Sequence, residues 1–208
     1  MMKIEQIASQ PDRAGRHAVR FDDGSTMRLY RQTIEDFGLY AGIELTEEEF
    51  SRLTEGAGQM SAKMRAVRII SASGVTKREL EHRLIQKGED PVQAKEAVSW
   101  LSEMDLIDDA KTARQIVERC IAKGYGLARA KQALYEKRVP KHLWEDALAD
   151  YPTQDEHILS YLENHPEIRQ DRKARDRVIH ALLRRGHTYS EIRRGMEAIS
   201  LHTEEFDG

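Results

Sequence analysis

The sequence predicts a mainly α-helical protein, with three tandem three-helix repeats in an elongated array and a small N-terminal β-hairpin or sheet segment. Thr-x-x-Glu motifs that mark helix starts recur along the chain. Apolar residues are spaced by three and four, as on one face of a helix. A similar helix ending also returns about every 50 residues, which indicates an internal repeat.

The first 31 residues show the period-two alternation of β-strands. A three-residue loop at residues 22–24 places apolar side chains opposite one another, with Gly24 left-handed in a bulge. The predicted pairs are Val19 with Met27 and His17 with Leu29. Residues 4–8 are expected to add a third strand, because an isolated hairpin is rarely stable in water. We expect His17 to pack on this sheet rather than to bind a ligand.

From about Thr33 onward the pattern is helical, and four capping boxes indicate several short helices. The boxes pair Thr46 with Glu49, Thr76 with Glu79, Thr153 with Glu156, and Thr188 with Glu191. The helix that starts at Thr46 is expected to end near Thr54, because two glycines follow at residues 56 and 58. This glycine pair predicts a boundary.

The repeat is defined by three similar second-helix endings, at residues 83–88, 133–138 and 181–186. Asp90-Pro91 predicts a capped third helix in the first repeat. The predicted organisation is an N-terminal β segment plus helix at 1–59, repeats at 60–107, 108–151 and 152–202, and a frayed tail at 203–208.

The residues that end and start helices are clearest in the second repeat. Gly124-Tyr125-Gly126 ends one helix and precedes another, whose predicted apolar stripe is Leu127, Ala130 and Leu134. Pro140 suits the first turn of a third helix, with a buried side at Leu143, Ala147, Leu148 and Tyr151. Trp100 and Trp144 are both predicted to pack in the core.

No catalytic, metal or cofactor site is predicted, so the protein is not expected to be an enzyme. The histidine spacings do not fit a metal pair, and neither a P-loop nor Gly-x-Ser-x-Gly occurs. Cys120 is the one cysteine, and its place on an apolar helix face predicts a buried, inert thiol. No apolar run reaches the roughly 20 residues of a membrane span. A cytoplasmic protein without membrane contact is expected.

Charge is unevenly distributed, although the net charge is −3. Residues 1–59 carry 7 basic and 11 acidic side chains, residues 60–150 carry 17 and 14, and residues 151–208 carry 9 and 11. The mild excess of positive charge in the middle permits an acidic protein or nucleic-acid partner. It falls short of the strongly basic character expected of a dedicated DNA-binding domain.

Basic and aromatic residues concentrate in the second repeat. Either they solvate helix surfaces or they form a contact surface. The candidate partner-binding residues are Arg119, Lys123, Tyr125, Arg129, Lys131, Lys137, Arg138 and Lys141. A second basic group in the last repeat consists of Arg184, Arg185, Arg193 and Arg194.

An ordered set of motifs resembles the bacterial RecX regulatory proteins. The motifs are GVTKRELEHRLIQKG at residues 74–88, Trp100-Leu101, Leu106-Ile107-Asp108-Asp109, Ala113, and Lys123-Gly-Tyr-Gly126 through Leu134 and Lys137. The resemblance covers residues 60–150 well and the third repeat more loosely, and the β segment resembles an extension that some members carry. Arg138 departs from it, standing where the family usually has Gly. Either Arg138 is left-handed at a cost of about 1 kcal/mol, or a different turn precedes Pro140.

The resemblance implies a non-enzymatic modulator that binds the groove of the RecA filament on single-stranded DNA and suppresses filament growth and strand exchange. A monomer is expected. The alternative is a direct DNA-binding protein built from helix-turn-helix-like repeats, and weak contact with single- or double-stranded DNA is possible in either case. A helical adaptor with an unrelated partner also remains open.

Overall fold

The computed structural model describes residues 1–153 and 155–204. Within them the chain forms four β-strands at its N-terminal end and ten α-helices after the first three strands. The chain divides into two compact units between Ile107 and Asp108. The prediction of a mainly helical chain with a small N-terminal sheet is confirmed.

An antiparallel four-stranded sheet opens the first unit, in the order β3-β2-β1-β4. Its strands are β1 (Met2–Ile7), β2 (Arg16–Phe21), β3 (Thr26–Tyr30) and β4 (Glu44–Leu45). The predicted pairs of Val19 with Met27 and His17 with Leu29 are both present, and Gly24 is left-handed with φ +81°. His17 lies half-buried on the sheet and its Nδ1 is 2.8 Å from the carbonyl oxygen of Ala8. The short strand β4 was not predicted, and it interrupts the pattern expected to stay helical.

Two helices pack against this sheet, α1 (Arg31–Asp36) and the 26-residue α2 (Glu47–Ala72). The prediction that α2 ends near Thr54 is wrong, because the helix continues through Gly56 and Gly58 and past the predicted division at residue 59. Both glycines instead allow the side chain of another residue to approach the helix backbone closely. A Cβ on Gly56 would lie 2.9 Å from the Phe37 ring, and one on Gly58 would lie 2.4 Å from the Gln93 side chain.

Packing explains why α2 continues where its local sequence favours a break. Leu53 is buried in the core of the sheet, whereas Ala62 and Ala66 are buried in a second core formed with the next two helices. Burial at both ends of the helix outweighs the roughly 1 kcal/mol that each interior glycine costs. A single helix therefore belongs to two cores.

The second half of α2 packs with α3 (Lys77–Gln86) and α4 (Pro91–Glu103). Asp90 caps α4 and Pro91 occupies its first position, as predicted. Arg65 on α2 forms an ion pair with buried Glu89 in the turn between α3 and α4. The fully buried residues of this core include Leu80, Leu84, Ala94, Ala97 and Leu101.

The second unit begins with α5 (Asp109–Ala122), α6 (Leu127–Glu136), a 3₁₀ segment (Lys141–Leu143) and α7 (Trp144–Leu148). Their buried core contains Ala113, Val117, Cys120, Ala130 and Leu134. The predicted third helix starts as 3₁₀ rather than α, and its α-helical part is only five residues long. Pro140 supplies no backbone N–H there and precedes the 3₁₀ turn as its cap.

The unit continues with α8 (Asp155–Glu163), a 3₁₀ segment (Pro166–Arg169), α9 (Arg172–Arg184) and α10 (Tyr189–Glu204). Their core includes Ile158, Leu162, Val178, Leu182 and Ile192. The helix α10 includes the first two residues of the predicted tail, and residues 205–208 lie outside the described part of the chain.

The helix caps follow the sequence closely where they can be compared. The boxes of Thr46 with Glu49 and of Thr188 with Glu191 form in both directions. Thr76 caps α3 by accepting from the Glu79 amide at 3.2 Å. The box predicted for Thr153 and Glu156 adjoins Gln154, which lies outside the described residues.

The three predicted second-helix endings share one backbone feature, a left-handed residue two positions after the helix. This residue is Gly88 with φ +88°, Arg138 with φ +53° and Gly186 with φ +88°. Arg138 therefore keeps the left-handed conformation, and the alternative turn before Pro140 does not form. The amide of Val139 still closes the helix end by donating to the carbonyl of Leu134 at 3.0 Å.

Candidate partner-binding surface

The helix α6 presents one buried and one exposed side. Gly126 is its N-cap, and Ala130 and Leu134 are buried against α5, as predicted. On the opposite side Ala128, Lys131 and Tyr135 are exposed, at spacings of three and four residues. We call these three residues the α6 face. Tyr135 is 66% exposed, so its ring is available for contact with a partner.

Arg129 is less accessible than its sequence position suggested. Its side chain is half-buried and its Nη1 lies 3.2 Å from Glu136 Oε1, which also accepts from Gln132 Nε2 at 3.2 Å. Hydrogen bonds from Gln132 and Arg129 lower the pKa of Glu136, so the carboxylate stays charged. Because Arg129 already serves this network, it is not an open cation on the surface.

Lys123 and Tyr125 come together at the turn before α6. Lys123 Nζ lies 5.9 Å from the centre of the Tyr125 ring, within the range of a cation–π contact. The hydroxyl of Tyr151 donates to the Tyr125 carbonyl at 2.7 Å. Burial raises the pKa of Tyr151 to about 12. Tyr125 itself is half-buried, so this turn is largely structural.

The remaining predicted residues are spread over three elements. Arg119 is exposed on α5 and its Nε donates to the Gln115 carbonyl at 3.0 Å. Half-buried Lys137 caps the end of α6, and exposed Arg138 follows it. Exposed Lys141 begins the 3₁₀ segment. The structure therefore places Lys131 on the α6 face and pairs Lys123 with Tyr125, but it does not gather all eight residues into one cluster.

A groove beside the α6 face was missed from the sequence. It has a volume of about 490 Å³ and is bounded by α6, α7, the segment after α7 and the start of α10. Its apolar lining comes from Leu127, Trp144, Leu148 and Tyr151, and Lys131, Glu145 and Glu191 contribute charged side chains. We call it the Leu127 groove. Leu127 is 40% exposed, so the prediction that it belongs to the buried stripe of α6 is wrong.

Trp144 shows why the groove was missed from the sequence. Trp100 and Trp144 are each half-buried against a hydrophobic core. The Nε1 of Trp144 donates to the Val139 carbonyl at 3.0 Å, which fixes one edge of the ring, and the ring also lines the groove. An apolar periodicity cannot separate a fully buried aromatic residue from one that forms the wall of an open groove.

The second unit holds the one cysteine of the chain. Cys120 is buried as predicted, and burial raises the pKa of its thiol. No group of three or more His, Cys, Asp and Glu side chains suited to a metal ion occurs among the residues that the structure describes. Within those ranges no helix combines the length and apolar content of a membrane crossing.

His187 is a buried polar residue that sequence reasoning did not single out. It is 4% exposed and its Nε2 lies 3.0 Å from the carbonyl oxygen of Gly124. Because a carbonyl only accepts, Nε2 carries the proton and Nδ1 is the acceptor nitrogen. Nδ1 has no hydrogen-bonding partner among the described residues. Burial lowers the pKa of His187, so the ring is neutral near pH 7.

Comparison with known proteins places this surface in a family context. Residues 108–148 match the model of RecX, second three-helix domain. The regulatory protein RecX of Clostridioides difficile strain 630 is 24% identical over 99% of this chain and 97% of its own length. The regulatory protein RecX of Vibrio parahaemolyticus is 28% identical over 65% of this chain and 90% of its own. These matches support a RecX family protein.

Solved structures agree with this fold. A crystal structure of regulatory protein RecX matches with a TM-score of 0.63 and 21% identity, over 95% of this chain and all of the other. RecX from Lactobacillus salivarius matches with a TM-score of 0.60 and 23% identity, over 69% of this chain and 97% of its own. The α6 face and half of the residues that line the Leu127 groove lie in the segment that matches the second RecX three-helix domain.

Proposed function

We propose that this RecX-type regulator acts in the cytoplasm on the RecA recombinase, by binding the RecA filament on single-stranded DNA and limiting its growth and strand exchange. The α6 face and the Leu127 groove are the proposed contact surface. Family membership supports a regulatory role. The observation that carries the choice of surface is an open apolar groove beside an exposed lysine and tyrosine, both of which lie within the matched RecX domain.

The chemistry of this surface favours a protein partner. Interface hot spots are enriched in Trp, Tyr and Arg, and they cluster in pockets that exclude water. The groove offers the Trp144 and Tyr151 rings together with Leu127, which suits an apolar anchor from a partner. The exposed ammonium of Lys131 at its edge suits a carboxylate next to that anchor. Phosphate groups alone would gain nothing from the apolar lining.

The test uses fluorescence anisotropy of labelled single-stranded DNA carrying RecA and a slowly hydrolysed ATP analogue, at near-physiological salt. The wild-type protein is expected to bind the assembled filament in preference to bare DNA. The double variant Lys131→Glu with Tyr135→Ala should weaken filament binding roughly 30-fold, which is about 2 kcal/mol for the removal of two interface side chains. RecA-catalysed strand exchange should then escape inhibition.

A matched control is available in the first unit. Tyr40 is 63% exposed, nearly the same as Tyr135, and Lys95 is an exposed lysine on α4. The variant Lys95→Glu with Tyr40→Ala changes the same side chains at a different place and should bind the filament like the wild type. Equally weakened binding in both variants would remove the α6 face from the interface. Absence of any filament binding by the wild type would reject the proposed function itself.

A further inference from the structure

Charge is segregated between two helices of the second unit. The helix α8 carries Asp155, Glu156 and Glu163 and has no Lys or Arg. The next helix, α9, has five basic residues and one acidic residue, which gives a net charge of +4. The slightly negative sum of residues 151–208 therefore conceals one strongly basic helix.

The basic residues of α9 are ordered along its outer side. Lys173, Arg177, His180 and Arg184 are all exposed and follow one another at spacings of four, three and four, so they form one row. We call them the α9 row. The opposite side of the helix is buried through Ala174, Val178 and Leu182. At 1.5 Å per residue the row is about 16 Å long.

Most of the row remains available for a partner. Neither Lys173 nor Arg184 forms an ion pair with a side chain in the described part of the chain, and Arg177 reaches Asp171 only at 3.7 Å. Two arginines off the row are engaged instead. Arg175 Nε donates to the Ile168 carbonyl at 3.1 Å, and the guanidinium of Arg185 lies 4.5 Å from the centre of the Tyr161 ring.

We infer that the α9 row is a contact surface for the phosphate backbone of duplex DNA. Over about 16 Å of its axis, duplex DNA carries roughly ten phosphate charges, a denser line of negative charge than a single strand offers. Proteins that bind unpaired bases commonly stack them on Phe, Tyr or Trp rings, and α9 has none of these three. This inference goes beyond the proposed function, which concerns a protein surface on α6.

The test measures binding of the full chain to a labelled duplex of about 20 base pairs, without RecA, over a series of salt concentrations. For the triple variant Lys173→Gln, Arg177→Gln and Arg184→Gln, we expect weaker binding and a salt slope shallower by about three, one for each phosphate that is no longer neutralised. The control removes three exposed cations that are already paired with carboxylates. It is Arg31→Gln, Arg193→Gln and Arg194→Gln.

Three results would overturn the inference. The control could weaken duplex binding as much as the row variant does, in which case only net charge matters. The wild type could prefer a single strand of the same length. The row variant could keep duplex binding but no longer bind the RecA filament, which would assign the row to a protein partner.

A variant that gains affinity guards against a folding defect. Asp176 is exposed and borders the row, three residues after Lys173 and four before His180. Asp176→Asn removes its repulsion of phosphate and should tighten duplex binding, and unchanged affinity would count against the row. The α6-face variant should keep its duplex binding while its filament binding weakens, so failure of the two proposals can be distinguished.

Discussion

Gly126 and Gly186 meet through their backbones, and a Cβ on Gly126 would lie 2.0 Å from the carbonyl oxygen of Gly186. The amide of Gly126 donates to the Arg185 carbonyl at 2.9 Å, and His187 reaches the Gly124 carbonyl beside it. The start of α6 and the turn after α9 therefore touch more closely than any side chain would allow. Within the second unit, this contact joins helices α5–α7 to helices α8–α10.

Alanine at Gly186 should be more destabilising than alanine at Gly88. Both glycines have φ +88°, but a Cβ on Gly88 meets nothing within 4 Å, whereas one on Gly186 lies 2.5 Å from the Arg129 amide nitrogen. Gly88→Ala should cost about 1–2 kcal/mol of unfolding free energy from left-handed strain alone. Gly186→Ala should cost a further 1–3 kcal/mol or so from overpacking. Urea denaturation followed by circular dichroism measures both, and equal destabilisation would contradict the close contact.

Stability should depend on the protonation of His187. Burial lowers its folded pKa below the ordinary value of 6.5, so the folded state resists the proton that the unfolded chain accepts. The free energy of unfolding is therefore unaffected by this residue above pH 6.5. It falls as the pH drops below 6.5, until the lowered pKa is passed. Urea midpoints measured from pH 8 to pH 5 should show this fall.

The control for this pH dependence is His187→Gln, whose amide can still donate to the Gly124 carbonyl but does not titrate. Glu191, Arg185 and His157 also act on the ring electrostatically, and they are unchanged in the variant. The difference in unfolding free energy between wild type and variant should shrink as the pH falls. A constant difference across the range would show that His187 does not couple protonation to folding.

Arg138 should be replaceable by glycine with a gain in stability. With φ +53° it is one of two non-glycine residues in the described chain with positive φ, the other being Asp105. Arg138→Gly should raise the free energy of unfolding by about 0.5–1 kcal/mol, since relief of left-handed strain exceeds the extra entropy of glycine in the unfolded chain. Arg138→Ala removes the same charge but keeps the strain. Thermal unfolding should place the glycine variant clearly above the alanine variant.

Glu89 should depend on Arg65 for its burial. It is 8% exposed, and it accepts from Arg65 and from the Ser61 hydroxyl at 3.1 Å. Arg65→Met should destabilise the first unit by about 2 kcal/mol, because the buried Glu89 carboxylate then lacks its cation. The cost stays moderate because the Arg65 side chain is partly exposed. Adding Glu89→Leu should restore most of that stability. Chemical denaturation of both single variants and the double variant completes a double-mutant cycle. Strictly additive changes in the free energy of unfolding would contradict the coupling between Arg65 and Glu89.

The sequence predicted those features that depend on neighbouring residues along the chain. The hairpin register from Val19 to Met27 follows from the period-two pattern, and the cap of α4 follows from Asp90-Pro91. It could not predict that α2 runs through Gly56 and Gly58. Glycine favours a break locally, but the pockets that receive Phe37 and Gln93 are made by distant parts of the chain.

The candidate partner-binding surface was also only partly predictable from the sequence. Exposed Lys131 was accessible from helical spacing and charge, since a solvent-facing side repeats every three or four residues. Arg129 was not distinguishable from Lys131, because its ion pair with Glu136 depends on how the helix end is oriented. The Leu127 groove forms only when α6, α7 and α10 are packed together. An apolar residue gives the same sequence pattern whether it fills a core or lines an open groove.

By itself, then, the sequence determined the hairpin register and the caps that start α2, α3 and α4, because caps and periodicity act within a few residues. Only the tertiary structure decided that Gly126 lies against Gly186, that His187 is buried, and that Leu127 is left open. These depend on packing between segments up to 63 residues apart, as in the contact of His187 with Gly124. Such packing is governed by shape and burial, which no local pattern encodes.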